Sequence, residues 1–324
     1  MTINEIRDKW RLLPQQGGKQ VRVSKDCLPD LFLGLDENSN RSLVLWIKKN
    51  TIIEYQNCHK EKISIEYYPD IAAIQLKLND DTFLDLFDDV ILSIINHIQD
   101  VPDRLQYPKA MFTTFHKWSE FFIESGTGML KPNIIQGIWG ELFILNELLI
   151  QTKSTLLFNT ILSSWKGPYR KGHDFETDTT DIEVKTKEET KSSVKISSEA
   201  QLQERNNQEL VLIVLSVRSN TQEGKSLNDL YQEIKGVVQK GNGDISIFLK
   251  ALRELKLDPG NLKKYDNFRY TAIQQVSYDC LNDEFPRYIP TILKKGVSNI
   301  KYDISLPDIN DFIKEVKDYR RIGV

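Results

Sequence analysis

The sequence lacks both a long apolar run and an excess of basic residues. Its longest apolar run, Leu210–Leu215, is far shorter than the ~18 residues that a membrane span needs. The N-terminal residues contain no apolar signal-peptide core, so we do not expect a secreted protein. The formal net charge is −3, so any contact with nucleic acid would have to be local, shared with a partner or assisted by a metal.

Cysteine is scarce, and several motifs of common enzyme classes are missing. Cys27, Cys58 and Cys280 are odd in number, far apart and form no CxxC pair, so neither a disulfide framework nor a zinc site is indicated. A reducing cytoplasm is therefore the expected compartment. There is no GxxxxGK[ST] phosphate loop, and no GxSxG or HExxH string. The sequence thus predicts neither NTP hydrolysis nor the nucleophile and zinc chemistry of those motifs.

The length of 324 residues suits two domains. Residues 1–105 predict an N-terminal α+β domain, because short strands with turn residues between them precede an amphipathic helix at Thr82–Ile98. Two prolines and several charges at Gln99–Pro108 indicate a linker. The first domain would contact DNA, a partner or a second copy of the chain.

Residues 106–324 predict a mixed sheet flanked by helices, because helices and strands alternate along this part of the chain. The apolar segment Glu209–Val217 indicates a buried central strand. The other predicted elements that matter here are helix Asn133–Ile150, strands Gly172–Thr177 and Asp181–Lys187, a helix starting near Ser198, and a closing helix near Asp308–Tyr319.

The segment Lys171–Lys187 carries the predicted chemistry. A turn at Asp178–Thr180 allows a hairpin, and residues two apart in a strand share a face, so Glu183 and Lys185 point into one cleft that Asp174 can reach. Two carboxylates suit Mg²⁺, and a lysine beside the metal can orient a water or offset charge on phosphorus. This set is what phosphodiester cleavage needs. The alternative is that all three are solvated charges on an exposed strand.

Two further segments bear on this site. Glu141 falls inside the apolar stripe of its predicted helix. A carboxylate on the buried side of a helix needs either a metal or an internal salt-bridge partner. The alternative is that Glu141 lies at the edge of the stripe, where it would need neither. The string at 198–201 predicts a capping box with Ser198 as N-cap and Gln201 at the third helical position. Gln201 could instead reach a metal-bound water or a phosphate.

At these residues the chain resembles the bacterial "PD-(D/E)xK motif protein" family, encoded in restriction-like and phage-defence gene clusters. The resemblance covers nearly the whole chain and rests on the order and spacing of GIWGELFIL at 137–145, WKGP at 165–168, HDF at 173–175, IEVKTK at 182–187 and ISSEAQL at 196–202. It implies a Mg²⁺-dependent, restriction-endonuclease-like core with helices on both sides of a mixed sheet. His173 stands where the family has proline. Its side chain could donate a hydrogen bond to a phosphate, or it could be purely structural.

The predicted site residues follow from the segment and the resemblance together. Catalytic residues are Asp174, Glu183, Lys185 and Glu141; metal ligands for Mg²⁺ or Mn²⁺ are Asp174, Glu183 and the Val184 carbonyl; supporting residues are Gln201, Ser197 and His173; DNA contacts are Arg170, Lys171 and Lys187. The lysines between residues 166 and 195 alternate with acids, which favours a mixed solvated surface over a DNA track for most of them.

The predicted function is a Mg²⁺-dependent DNA endonuclease of a restriction-like or anti-phage defence system. Its expected partners are double-stranded DNA and ATPase/helicase or methyltransferase proteins encoded in the same operon. The chain could also form a homo-oligomer. The alternative is a catalytically silent DNA-binding or scaffold subunit that keeps the nuclease fold, which the nearly neutral charge favours. A structure-specific repair nuclease is a third reading.

Overall fold

The computed structural model describes residues 1–13, 20–36, 38–49, 51, 53, 55–123, 128–152, 154–169, 172–205, 208–219 and 222–321. The chain forms two compact units, Met1–Glu124 and Ser125–Val324. Helix α3 (Gln106–Ser119) belongs to the first unit rather than to the predicted second domain, residues 106–324. Within the described ranges, no helix has the length and apolar character needed to cross a membrane.

The first unit is built on a six-stranded antiparallel sheet with the order β1-β2-β3-β6-β5-β4. One face of this sheet, which includes Leu43, Leu45, Ile74 and Leu76, is buried. Helix α1 begins with a capping box between Thr2 and Glu5. The elements are α1 (Ile3–Leu12), β1 (Gln20–Arg22), β2 (Asp30–Leu35), β3 (Arg41–Trp46), β4 (Cys58–His59), β5 (Ile63–Tyr68), β6 (Ala73–Leu78), α2 (Leu84–Ile98) and α3.

The second unit is built on a five-stranded sheet with the order β13-β11-β10-β8-β7. Strands β8 and β10 are parallel and the other pairs are antiparallel, so the sheet is mixed, as the sequence predicted. Its elements are α4 (Pro132–Gln151), α5 (Phe158–Ser164), β7 (Phe175–Glu176), β8 (Thr180–Glu188), β9 (Ser193–Ile196), β10 (Glu209–Ser219), α6 (Leu227–Lys240), α7 (Ile245–Glu254), β11 (Tyr270–Asp279), β12 (Tyr302–Ser305) and β13 (Ile313–Asp318).

Both faces of this sheet are covered, which explains why β10 is apolar almost throughout. Helix α4 packs on the face that carries Thr186, and it approaches so closely that a methyl group on Gly140 would collide with the Thr186 hydroxyl. On the other face, Leu210, Leu212 and Val214 belong to an apolar cluster that β9 and β12 cover as a two-stranded sheet. Asp181 and Glu183 of β8 pair with Leu210 and Leu212 of β10, so their carboxylates share this second face.

The predicted closing helix is wrong. The chain forms a 3₁₀ helix at Pro307–Phe312 and then the edge strand β13, which pairs antiparallel with β11 through Val316 and Val276. A helix at β13 would have no buried apolar face to stabilise it, because the first four residues of β13 are all exposed. Pairing with an existing sheet edge satisfies the backbone of β13 on one side, and that tertiary gain outweighs the weak helical pattern of the sequence.

Candidate active site

The hairpin of β7 and β8 sets the geometry of the site. Phe175 pairs with Ile182, and Glu176 with Asp181, so Asp174 lies just beyond β7 at the level of Glu183. Thr177 closes the turn by accepting a hydrogen bond from the Thr180 amide at 2.9 Å through its hydroxyl. The local sequence therefore determines which side chains of the two strands are neighbours.

Asp174, Glu183 and Lys185 come together in this structure. The Val184 amide donates to Asp174 Oδ2 at 2.8 Å, and Lys185 Nζ donates to Glu183 Oε1 at 2.6 Å. The Glu183 side chain is 1% exposed and that of Lys185 is 16% exposed. This strand face is thus not an exposed, solvated one. The catalytic role of the three residues stays a prediction.

Glu141 joins the cluster from α4. Its Oε2 accepts a hydrogen bond from Trp165 Nε1 at 2.8 Å, and the part of the chain described here holds no cation within ion-pair distance of it. A Cβ atom on Gly167 would collide with Glu141 Oε2 and would lie 3.0 Å from Asp174 Oδ1. The two carboxyl groups therefore meet beside Gly167.

Burial raises the pKa of all three acids. The pKa of Glu183 rises from 4.5 to about 8, because burial and the nearby Asp174 outweigh Lys185. Burial, followed by Asp174, raises the pKa of Glu141 well above its usual value. Burial also raises the pKa of Asp174, although Lys185 and the Val184 amide oppose it. Glu141 and Asp174 are half-buried as residues, but their carboxyl ends lie inside the cluster, where burial dominates.

The pKa of Lys185 is raised as well. Burial alone would lower it, but Glu183 and Asp174 more than compensate for that effect. Three carboxylates thus act on one ammonium group, of which only Glu183 pairs with it directly, and the fully ionised cluster carries excess negative charge in a poorly solvated place. Such a cluster favours the uptake of protons or of a cation.

The residues fit a divalent metal by their chemistry. Mg²⁺ takes oxygen ligands, and each of the three acids has one oxygen engaged in a hydrogen bond and a second with none to the described residues. Among the residues that the structure describes, no three acidic, histidine or cysteine side chains are already arranged as a metal cage. Lys185 takes the place of a counter-cation for Glu183. Metal binding therefore stays a prediction.

Comparison with known proteins identifies the family of this chain. A family profile described as "Putative PD-(D/E)XK family member, (DUF4420)" matches residues 6–307. The chain belongs to this family. No curated protein and no solved structure matches it. Family membership supports the nuclease-like PD-(D/E)XK fold, whereas the assignment of Asp174, Glu183 and Lys185 to the motif stays a prediction. PD-(D/E)XK nucleases typically use divalent metals.

His173 stands where the PD-(D/E)XK motif has proline, and it is buried. Only 2% of it is exposed, and neither ring nitrogen has a hydrogen-bond partner among the residues that the structure describes. Its Nδ1 lies 3.5 Å from Asp181 Oδ2, and Arg205 already binds that carboxylate with two hydrogen bonds of 2.6 and 2.9 Å. Burial lowers the pKa of His173 and so keeps the ring neutral. These observations favour the structural alternative over the phosphate donor.

Gln201 and Ser197 contact each other rather than the carboxylates. Gln201 Oε1 accepts a hydrogen bond from the Ser197 amide at 2.7 Å. The predicted capping box is wrong, because Ser198 makes no side-chain cap bond and the segment is a single 3₁₀ turn, Glu199–Leu202. A supporting role for either residue stays a prediction.

The predicted DNA contacts have different outcomes. Lys187 shares a strand face with Lys185, but only 8% of it is exposed, and its Nζ lies 3.4 Å from the Glu188 carbonyl oxygen. Burial lowers the pKa of Lys187. Arg170 and Lys171 lie outside the described residues. Sequence reasoning missed the contacts of Trp165 and Gly167 with the acids; the WKGP string just before the motif acid was the available signal.

Proposed function

We propose that this protein is a Mg²⁺-dependent endonuclease that hydrolyses phosphodiester bonds of double-stranded DNA in a bacterial restriction-like or anti-phage defence system. The observation that carries the proposal is the buried cluster in which Lys185 pairs with Glu183 and the carboxyl groups of Asp174 and Glu141 meet close by. Family membership supplies the nuclease-like fold. The metal, the DNA substrate and the defence role are the proposal itself.

Asp174 and Glu183, with the Val184 carbonyl, are the residues that would hold Mg²⁺. The bound cation would polarise the scissile phosphate and lower the pKa of the attacking water. Asp174 is suited to this position because the Val184 amide holds Oδ2 and leaves Oδ1 for a ligand. In the same way, Lys185 binds Oε1 of Glu183 and leaves Oε2 for a ligand.

Lys185 and Glu141 differ in what they can do for the reaction. The raised pKa of Lys185 keeps the ammonium protonated, which suits offsetting charge on the phosphate better than accepting a proton from water. Glu141 has Oε2 bound to Trp165, so Oε1 is the atom that can bind a ligand or take up a proton. Burial, followed by Asp174, raises the pKa of Glu141 well above its usual value, which favours proton uptake by this carboxyl group when no cation is bound.

A silent DNA-binding or scaffold subunit is the second candidate. Two observations favour it: the formal net charge of −3, and a Glu183 oxygen already paired with Lys185 at 2.6 Å. Such a subunit would depend on operon partners of the ATPase/helicase or methyltransferase type, or on a second copy of the chain. It would bind DNA or these partners without cutting.

Plasmid cleavage by the full chain with Mg²⁺ or Mn²⁺ tests the proposal. We expect Asp174→Ala and Lys185→Ala each to lower the cleavage rate roughly 100-fold or more, because each removes charge stabilisation at the reacting phosphate. Asp178→Ala and Lys191→Ala are matched controls, since both residues are exposed near the same strands. They should cut like the wild type.

The results separate the two candidates. Cleavage that survives both Asp174→Ala and Lys185→Ala would reject the assignment of the site. A wild type that binds DNA but stays inert, even with the proteins encoded beside it, would support the scaffold candidate. Cleavage lost in both variants and kept in both controls supports the nuclease.

A further inference from the structure

Trp165 and Glu141 satisfy each other in the interior of the second unit. The Trp165 indole is 1% exposed and packs on Phe248, with ring centroids 5.8 Å apart. Its Nε1 donates to Glu141 Oε2 at 2.8 Å. A buried indole N–H and a buried carboxylate both need a partner, so this contact determines which way the Glu141 carboxylate points.

The next two residues hold the backbone of the motif acid. The amides of Lys166 and Gly167 both donate to the Asp174 carbonyl oxygen, at 2.7 and 3.0 Å. Trp165 also forms an isolated antiparallel bridge with Phe175. Asp174 is therefore fixed twice: by this loop through its backbone, and by the Val184 amide through its side chain.

Gly167 leaves the space in which the two carboxylates meet. A Cβ atom there would collide with Glu141 Oε2 and approach Asp174 Oδ1 to 3.0 Å. The backbone of Gly167 does not require glycine, because Gly167 is not among the described glycines with positive φ. A methyl group at position 167 would instead displace the carboxyl groups of Glu141 and Asp174.

We propose that residues 165–168, the acid-positioning loop, hold Glu141 and Asp174 together for the divalent cation, with Trp165 as a positioning residue that acts through Glu141. This inference rests on the proposed function. Two carboxylates at close range repel each other, and a long glutamate side chain would turn away unless a donor held it. The loop supplies that donor and leaves room for the pair.

Binding of Mn²⁺ to the full chain, measured by isothermal titration calorimetry, tests the proposal without a cleavage assay. Trp165→Phe keeps a ring against Phe248 and removes the donor. We expect it to weaken Mn²⁺ binding roughly 10- to 100-fold, the usual effect of losing a group that orients a metal ligand. Gly167→Ala should have an effect in the same range, because the methyl moves the Glu141 carboxylate while the indole stays in place.

The chain offers a matched control for each variant. Trp139 is also 1% exposed and donates its indole N–H at 2.8 Å, but to the Lys225 carbonyl. Trp139→Phe therefore removes an equivalent buried hydrogen bond away from the acids, and should leave Mn²⁺ affinity unchanged. Gly137→Ala adds a methyl where nothing lies within 4 Å, and should also bind Mn²⁺ like the wild type.

The double variant Trp165→Phe with Glu141→Gln distinguishes positioning from a general loss of stability. If Trp165 acts through Glu141, the double variant should bind Mn²⁺ with the same affinity as Glu141→Gln alone. Equal Mn²⁺ affinity in the Trp165→Phe, Gly167→Ala and wild-type proteins would overturn the loop proposal and leave the proposed function intact. A wild type that neither binds Mn²⁺ nor cuts DNA would overturn both.

Discussion

The burial of Glu183 makes the stability of the metal-free protein depend on pH. Its pKa is about 8 in the folded protein against 4.5 for an exposed glutamate. The folded state therefore keeps a proton that the unfolded state has released, and stability falls as pH rises from about 4.5 to about 8. This difference in pKa corresponds to a loss on the order of 5 kcal/mol, complete only above the folded-state pKa.

Replacing Glu183 with glutamine tests this reasoning, because glutamine resembles the protonated acid and cannot ionise. In EDTA at pH 8.5 the variant should be more stable than the wild type by up to roughly 5 kcal/mol, whereas near pH 5 the two should be similar. For a unit of about 200 residues, such a gain corresponds to a rise in Tm of roughly 10 °C or more. Differential scanning calorimetry at both pH values measures it.

Glu209→Gln is the control, since the Glu209 side chain is 62% exposed in the same unit. It should leave the pH dependence unchanged. A residual slope is expected in Glu183→Gln, because burial raises the pKa of Glu141 and Asp174 in the same direction. If Glu183→Gln is less stable than the wild type at pH 8.5, the ion pair with Lys185 outweighs burial and the reasoning is refuted.

Two further predictions concern the metal and the packing of α4. Mg²⁺ at a concentration 100 times its Kd at pH 8 should stabilise the wild type by about 2.7 kcal/mol at that pH. The same concentration should stabilise it less at pH 6, because protons compete for the same acids and raise the Kd. An equal thermal shift in Asp174→Ala would contradict this. Gly140→Ala should destabilise the second unit by roughly 1–3 kcal/mol in urea unfolding, since its methyl collides with Thr186 on β8. Adding Thr186→Ala should recover part of that loss, and an undiminished stability in Gly140→Ala alone would show that α4 can move away freely.

Local pattern predicted much of the candidate site. The two-residue period of β8 puts Glu183 and Lys185 on one face, and a short turn brings Asp174 beside them. The apolar run of β10 predicted a central strand, and the helical stripe predicted that Glu141 points inward. These features depend only on residues that are close together in the sequence, so they can be predicted without knowledge of the tertiary structure.

Contacts between distant segments could not be predicted in this way. Glu141 and Trp165 are separated by 24 residues along the chain, as are Asp181 and Arg205, and no periodicity links their side chains. The strand β13 exists because β11 offers a free edge, which its own sequence does not encode. Sequence by itself thus determined the face on which each acid lies, whereas the tertiary structure decided which groups pair with the acids. The reason is that burial makes pairing obligatory only once the helices and strands of the second unit have packed.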